Sequence, residues 1–95
     1  MEIFVNAPRH PRQEKLVSFY NEMLSKKYGN FEFVRKMKVD IQPGDKETRV
    51  NLTLMPRKGK ELFAQARDMN ESRAFAMCLD KMSRQVARMK KKIRS

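Results

Sequence analysis

Few side chains in this sequence are suited to acid–base or nucleophilic chemistry. The chain has one histidine, His10, between Arg9 and Pro11, and one cysteine, Cys78, between Met77 and Leu79. Pro8 and Pro11 predict a solvated turn around His10, which is a poor setting for a general base. Cys78 falls on an apolar position of a helical pattern, where a free thiol packs as a small hydrophobe. With three glycines, the chain contains no Gly-x-x-x-x-Gly-Lys, no Gly-x-Gly-x-x-Gly and no His-Glu-x-x-His. The sequence therefore offers neither of the common phosphate-cradling loops nor a zinc-hydrolase helix. A lone cysteine also leaves no internal disulfide framework and no Cys-rich metal module. The expectation is a protein that is not an enzyme and uses no cofactor or metal.

Positive charge is the abundant chemistry. Lysine and arginine number 22 against 11 acidic residues, a net charge of +11 with an isoelectric point near 10.2. From Arg73 to Ser95 there are eight basic residues and one acid, Asp80, so this segment alone carries +7. At about 100° per residue, Lys81, Arg84, Arg88 and Lys91 align as one stripe beside an apolar face, with Lys90, Lys92 and Arg94 around its end. Arg57, Lys58 and Lys60 crowd a turn, while Lys15 and Lys26 share one face of an earlier helix with Lys27 adjacent. A one-sided basic helix, a basic turn and a high isoelectric point together form the electrostatic footprint of a nucleic-acid binder. The pattern does not say which nucleic acid. Lying on anionic lipid would take the apolar face of the same helix away from the core, so no membrane partner is expected. A rival surface carries Phe4, Lys36, Lys38, Arg49 and Phe63 on the open side of a sheet, where rings among cations can stack bases. The two rings fit a cross-strand pair or a partner contact better.

Alternation and helical periodicity supply the elements that hold these residues. Met1 to Asn6 alternates as a strand with Ile3 and Val5 inward, and Ala7 to Arg12 is a proline-broken loop. From Gln13 to Tyr28 the apolar positions Leu16, Tyr20, Met23, Leu24 and Tyr28, widened by Val17 and Phe19, read as a helix stopped by Gly29-Asn30. Phe33, Met37, Val39 and Ile41 alternate with Val34, Lys36, Lys38 and Asp40, with Arg35 breaking the apolar side. After a turn at Gln42 to Lys46, Val50, Leu52 and Leu54 form a third strand. Beyond Pro56 to Lys60, Leu62, Ala64 and Ala66 form a fourth. Asn70 is an N-cap for a last helix whose apolar stripe is Ala74, Phe75, Cys78, Leu79, Met82, Val86, Met89 and Ile93.

The predicted fold is α+β, in the order β-α-β-β-β-α, with a four-stranded mixed sheet and two helices packed on one face. A right-handed crossover makes the first two strands parallel, and the last three form a meander. The 95 residues, 40% of them hydrophobic, suffice for one domain spanning 1–95 with its own core. No apolar run approaches the roughly 20 residues of a membrane span and no leader pattern opens the chain. A soluble cytoplasmic protein is expected, and a charge of +11 favours a monomer.

With this element order, the segment Leu79 to Lys92, Leu-Asp-Lys-Met-Ser-Arg-Gln-Val-Ala-Arg-Met-Lys-Lys-Lys, resembles the ribosome hibernation-promoting factors. That family is also described as sigma-54 modulation proteins and includes the ribosome-associated inhibitor. The family pattern Asp-Lys-Leu-x-Arg-Gln-Leu-x-Lys-x-Lys is met by Asp80, Lys81, Met82, Arg84, Gln85, Val86, Arg88 and Lys90, and Leu62-Phe63-Ala64 is similar to the family's Leu-x-Ala segment. The resemblance implies a short-type factor of stress or stationary phase that binds the small ribosomal subunit between head and body. There it would cover messenger and transfer RNA sites and block translation. By position, Lys81, Arg84, Gln85, Arg88 and Lys91 would meet ribosomal RNA phosphates, with Lys26 in support. The charge pattern adds Arg57, Lys58, Lys90 and Lys92 to the RNA-binding set. Departures from the family pattern are Asn70-Glu71-Ser72 after Asp68-Met69, where a tyrosine is usual, and Glu22-Met23 and Lys27 in the first helix. Two alternatives follow from the charge: a general RNA-binding module or RNA chaperone, and a modulator of transcription acting through an acidic protein.

Overall fold

The computed structural model describes the backbone of residues 2–7, 13–29 and 31–94, and the side chains of these residues apart from Gln13 and 90–94. His10 with its flanking prolines, Asn30 of the helix stop, and the side chains of Lys90, Lys91, Lys92, Ile93 and Arg94 lie outside the described residues. The elements are β1 (Glu2–Asn6), α1 (Gln13–Tyr28), β2 (Val34–Pro43), β3 (Thr48–Pro56), β4 (Leu62–Asp68) and α2 (Glu71–Arg94). The sheet runs β1-β2-β3-β4, with β1 parallel to β2 and the other pairs antiparallel.

Alternation along the strands sends one set of side chains beneath the helices. Met37, Val39 and Ile41 of β2, Val50, Leu52 and Leu54 of β3, and Ala64 and Ala66 of β4 are buried, and Ile3 and Val5 pack against them. The helices cover this face with Tyr20, Leu24 and Tyr28 from α1 and Ala74, Phe75, Cys78, Leu79, Met82 and Val86 from α2. The i, i+4, i+8 spacing of the α1 residues and the three-and-four spacing of α2 keep each set on one stripe. The helices meet where the Tyr20 ring stacks on Phe75 at 4.1 Å. The Tyr20 hydroxyl donates to Glu71 Oε1 at 2.9 Å, and the Tyr28 hydroxyl lies 3.4 Å from Ser83 Oγ.

Three expectations are corrected. A bulge at the start of β2 pairs Val34 with Pro56 but Lys36 with Met55, so Arg35 is an extra residue. Parity flips there, which buries Val34 and exposes Arg35, the reverse of strict alternation. Phe19 does not widen the buried stripe of α1: it is 54% exposed and stands edge-on to Tyr20. Phe4 and Phe63 do not pair. They share one row on the open face, but β2 and β3 lie between them, because the parallel crossover and the meander put β1 and β4 at opposite edges.

Two of the helix boundaries have local causes. Asn70 Oδ1 accepts from the amides of Ser72 at 2.9 Å and Arg73 at 3.3 Å, which satisfies donors that the first turn leaves free. At the end of α1, the Gly29 amide bonds to Ser25 O at 2.8 Å, and a side chain on Gly29 would run into that carbonyl.

Candidate nucleic-acid interface

The apolar stripe of α2 fixes what its other face presents. With Cys78, Met82 and Val86 held against β3 and β4, Arg84 and Arg88 point to solvent. Arg84 Nη2 lies 2.9 Å from Asp80 Oδ2, one turn back, with both side chains largely exposed. Such a pair contributes little to stability and leaves guanidinium donors free for an anion. Arg88 is exposed with no ion partner among the described residues. The helix continues beyond it through residues 90–94, and at about 1.5 Å per residue its 24 residues span about 36 Å, longer than any strand.

Lys81 of the stripe, and Gln85, which the resemblance adds to it, are directed differently. Lys81 Nζ donates to Gln65 O at 2.7 Å and Gln85 Nε2 donates to Phe63 O at 2.6 Å. β4 is an edge strand, so alternate carbonyls of its outer side have no strand partner, and these two side chains reach over the edge to satisfy them. Lys81 remains exposed and Gln85 partly so, and the Lys81 ammonium keeps further donors.

The topology gathers further cations at the end of the sheet toward which α2 runs. Arg57, Lys58 and Lys60 occupy the β3–β4 turn, where Gly59 takes a φ of 102° that other residues rarely adopt. The Arg57 amide donates to Phe33 O at 2.8 Å, which ties this turn to the start of β2. There Arg35 and Lys36 join Arg57 and Glu2 around a shallow depression. The last turn of α1 brings Lys26 and Lys27 to the same end, because Tyr28 touches Ser83 of α2. Lys26 Nζ pairs with Glu22 Oε1 at 3.2 Å, an exposed contact. Lys15, at the beginning of α1, lies at the opposite end. At that far end acids and cations are mixed, with Asp45, Lys46 and Glu47 in the β2–β3 turn, Arg67 paired with Glu47, and Asp68 and Glu71 around the start of α2.

The structure thus brings Arg57, Lys58, Arg84, Arg88 and Lys26 toward one end, and turns Lys81 and Gln85 onto the sheet edge. Arg35 was missed, because period-two reading assigns it to the apolar side. A cation on a core-parity position was the available signal of a bulge.

The thiol of Cys78 is fully buried within 3.3 Å of Ala64 O, and burial pushes its pKa up to about 11. This is the opposite of what a reactive thiolate needs. Burial likewise raises the Tyr20 hydroxyl, with the Glu71 carboxylate adding to the shift, and raises that of Tyr28. Among the described residues no cluster of three or more histidine, cysteine or acidic side chains is placed to hold a metal ion. No described helix is long and apolar enough to cross a membrane.

A four-stranded mixed sheet with two helices on one face and cations concentrated along α2 and at one end defines a small basic α+β fold. Residues 10–94 match the model of the sigma 54 modulation protein / S30EA ribosomal protein family, and the chain belongs to that family. The resemblance read from the last helix is thereby borne out. A ribosomal subunit interface protein from Coxiella burnetii has a similar fold, with a TM-score of 0.80 at 13% identity over 95% of this chain and 98% of that one. The N-terminal domain of Protein Y from Thermus thermophilus superposes with a TM-score of 0.71 at 16% identity, covering 93% of this chain and 94% of that one. At these identities the likeness is one of fold. A search of curated proteins finds no match to the sequence.

Proposed function

We propose that this chain is a non-enzymatic ribosome-associated translation inhibitor, a hibernation factor of the cytoplasm acting in stress or stationary phase as a single-domain monomer. It binds small-subunit ribosomal RNA in the channel used by messenger and transfer RNA and blocks translation by occupying it. Family membership and the fold shared with a ribosomal subunit interface protein support the ribosome as partner. The observation that carries the RNA contact is the outer face of α2, where Arg84 and Arg88 stand exposed and the helix runs on toward Lys90, Lys91 and Lys92. That face lies at the end where Arg57 and Lys58 project, with Lys26 to one side. Guanidinium and ammonium groups spaced along a rigid helix suit a phosphate backbone, and such contacts position a domain without reading sequence. Specificity then comes from the shape of the RNA channel.

The test is Arg84→Glu combined with Arg88→Glu. Neither side chain is in the core, so the variant keeps its circular dichroism spectrum and loses co-sedimentation with small subunits and whole ribosomes. Unchanged co-sedimentation of the folded variant removes α2 from the interface.

A further inference from the structure

The helices cover one face of the sheet, and the other face has no partner among the described residues. Its middle row runs across all four strands as Phe4, Lys38, Thr53 and Phe63, neighbours fixed by the strand register. Both rings are about half exposed, at 49% and 54%, although they are large apolar side chains. Three strand spacings of about 4.8 Å put them about 14 Å apart. They are separate platforms with Lys38 and Thr53 between them. Lys36 Nζ sits 4.5 Å from the centre of the Phe4 ring, so one ring already carries a cation at its face. Lys38 rises between the rings. Toward the basic end of the domain the row gives onto the depression formed by Glu2, Arg35, Lys36 and Arg57.

We propose that this open sheet face is a second binding surface, for single-stranded RNA laid across the strands, with one base stacked on Phe4, where it displaces the flexible Lys36 ammonium from the ring face, and another on Phe63, while Lys38 between the rings and Lys36 beside Phe4 hold phosphates. Three features of the face favour this occupant. Rings held apart on an open sheet face offer π-faces that bases of any sequence can use. The cations lie beside and between the rings rather than around a closed apolar patch, which complements a polyanion better than an apolar protein surface. The surface also adjoins the depression where Arg35, Lys36 and Arg57 outnumber Glu2, so one strand can pass from the sheet to the cationic end. The choice of RNA over DNA rests on the ribosomal reading above; the stacking surface does not.

The experiment measures fluorescence anisotropy of the full chain with short labelled oligouridylate, with the matching deoxy oligomer and with an RNA duplex. It compares the native chain, Phe4→Ala/Phe63→Ala, and Phe4→Tyr/Phe63→Tyr. Both rings lie outside the core, and circular dichroism checks each variant's fold. The native chain binds oligouridylate; the alanine pair weakens that binding about tenfold or more, as stacking losses of this kind do. The tyrosine pair, which keeps both π-faces, restores it. Equal affinity of the native and alanine chains for oligouridylate, or failure of the native chain to bind it at all, overturns the stacking surface. Tighter binding of the deoxy oligomer overturns the assignment to RNA. Ribosome co-sedimentation of the same proteins separates the two readings. If the native chain misses the ribosome yet the alanine pair still weakens oligomer binding, the ribosomal reading fails alone; the reverse result removes only the sheet surface.

Discussion

Replacing Lys81 and Gln85 together by alanine removes both side chains that reach over the free edge of β4. The bonds lost are Lys81 Nζ to Gln65 O at 2.7 Å and Gln85 Nε2 to Phe63 O at 2.6 Å. A side-chain hydrogen bond contributes about 0.5–1.5 kcal/mol net, and water competes for these exposed carbonyls, which puts each loss toward the low end. The pair together then costs about 1–2 kcal/mol. For a domain of this size about 1 kcal/mol moves the melting temperature by about 4–8 °C, so the double variant melts at least about 4 °C below the native chain. Thermal unfolding followed by circular dichroism reads this directly, and amide exchange along β3 and β4 rises with it. Lys81→Arg with Gln85→Glu is the informative companion, because arginine keeps a donor whereas glutamate offers the Phe63 carbonyl only an acceptor. An unchanged melting temperature in the alanine pair refutes the edge-capping role and returns both residues to the RNA-facing set without a structural duty.

Other consequences are smaller and independent. Asn70→Ala removes the acceptor for the Ser72 and Arg73 amides and costs about 1 kcal/mol, measured by urea unfolding, whereas Asn70→Ser loses far less. Cys78 does not react with iodoacetamide at pH 8 in the folded protein and reacts fully once urea unfolds it, since the thiol is buried. Its folded pKa of about 11 exceeds the ordinary thiol value near 8.5, so the folded state holds more protons between those values and stability falls as pH rises through that window. Replacing Cys78 by alanine makes the stability-against-pH slope shallower between pH 9 and 10, and an identical slope contradicts the assignment.

The fold was readable wherever one physical rule acted alone. Alternation in Val50, Leu52 and Leu54, the three-and-four spacing from Ala74 to Val86, and Asn70 ahead of that run each had a single interpretation, and the element order then fixed the sheet. Val34 and Arg35 were misread because a bulge changes parity without changing composition. The Phe4–Phe63 pair was misjudged on side-chain alternation alone, although a meander after a parallel crossover sends β1 and β4 to opposite edges. The basic stripe of α2 was legible as a stripe. That Lys81 and Gln85 bend toward β4 depended on where the sheet edge falls beside the helix, which no spacing within α2 reports. Arg84 and Arg88 sit farther round and stay in solvent.

The most direct test of the account is sucrose-gradient sedimentation of the purified chain with small subunits, large subunits and whole ribosomes across a series of salt concentrations. If about six phosphates are neutralised, log affinity falls against log salt with a slope of about −4 to −5. The account predicts co-migration with small subunits and whole ribosomes, lost with that steepness as salt rises. A chain that stays at the top of the gradient at every salt, or that follows the large subunit alone, contradicts it.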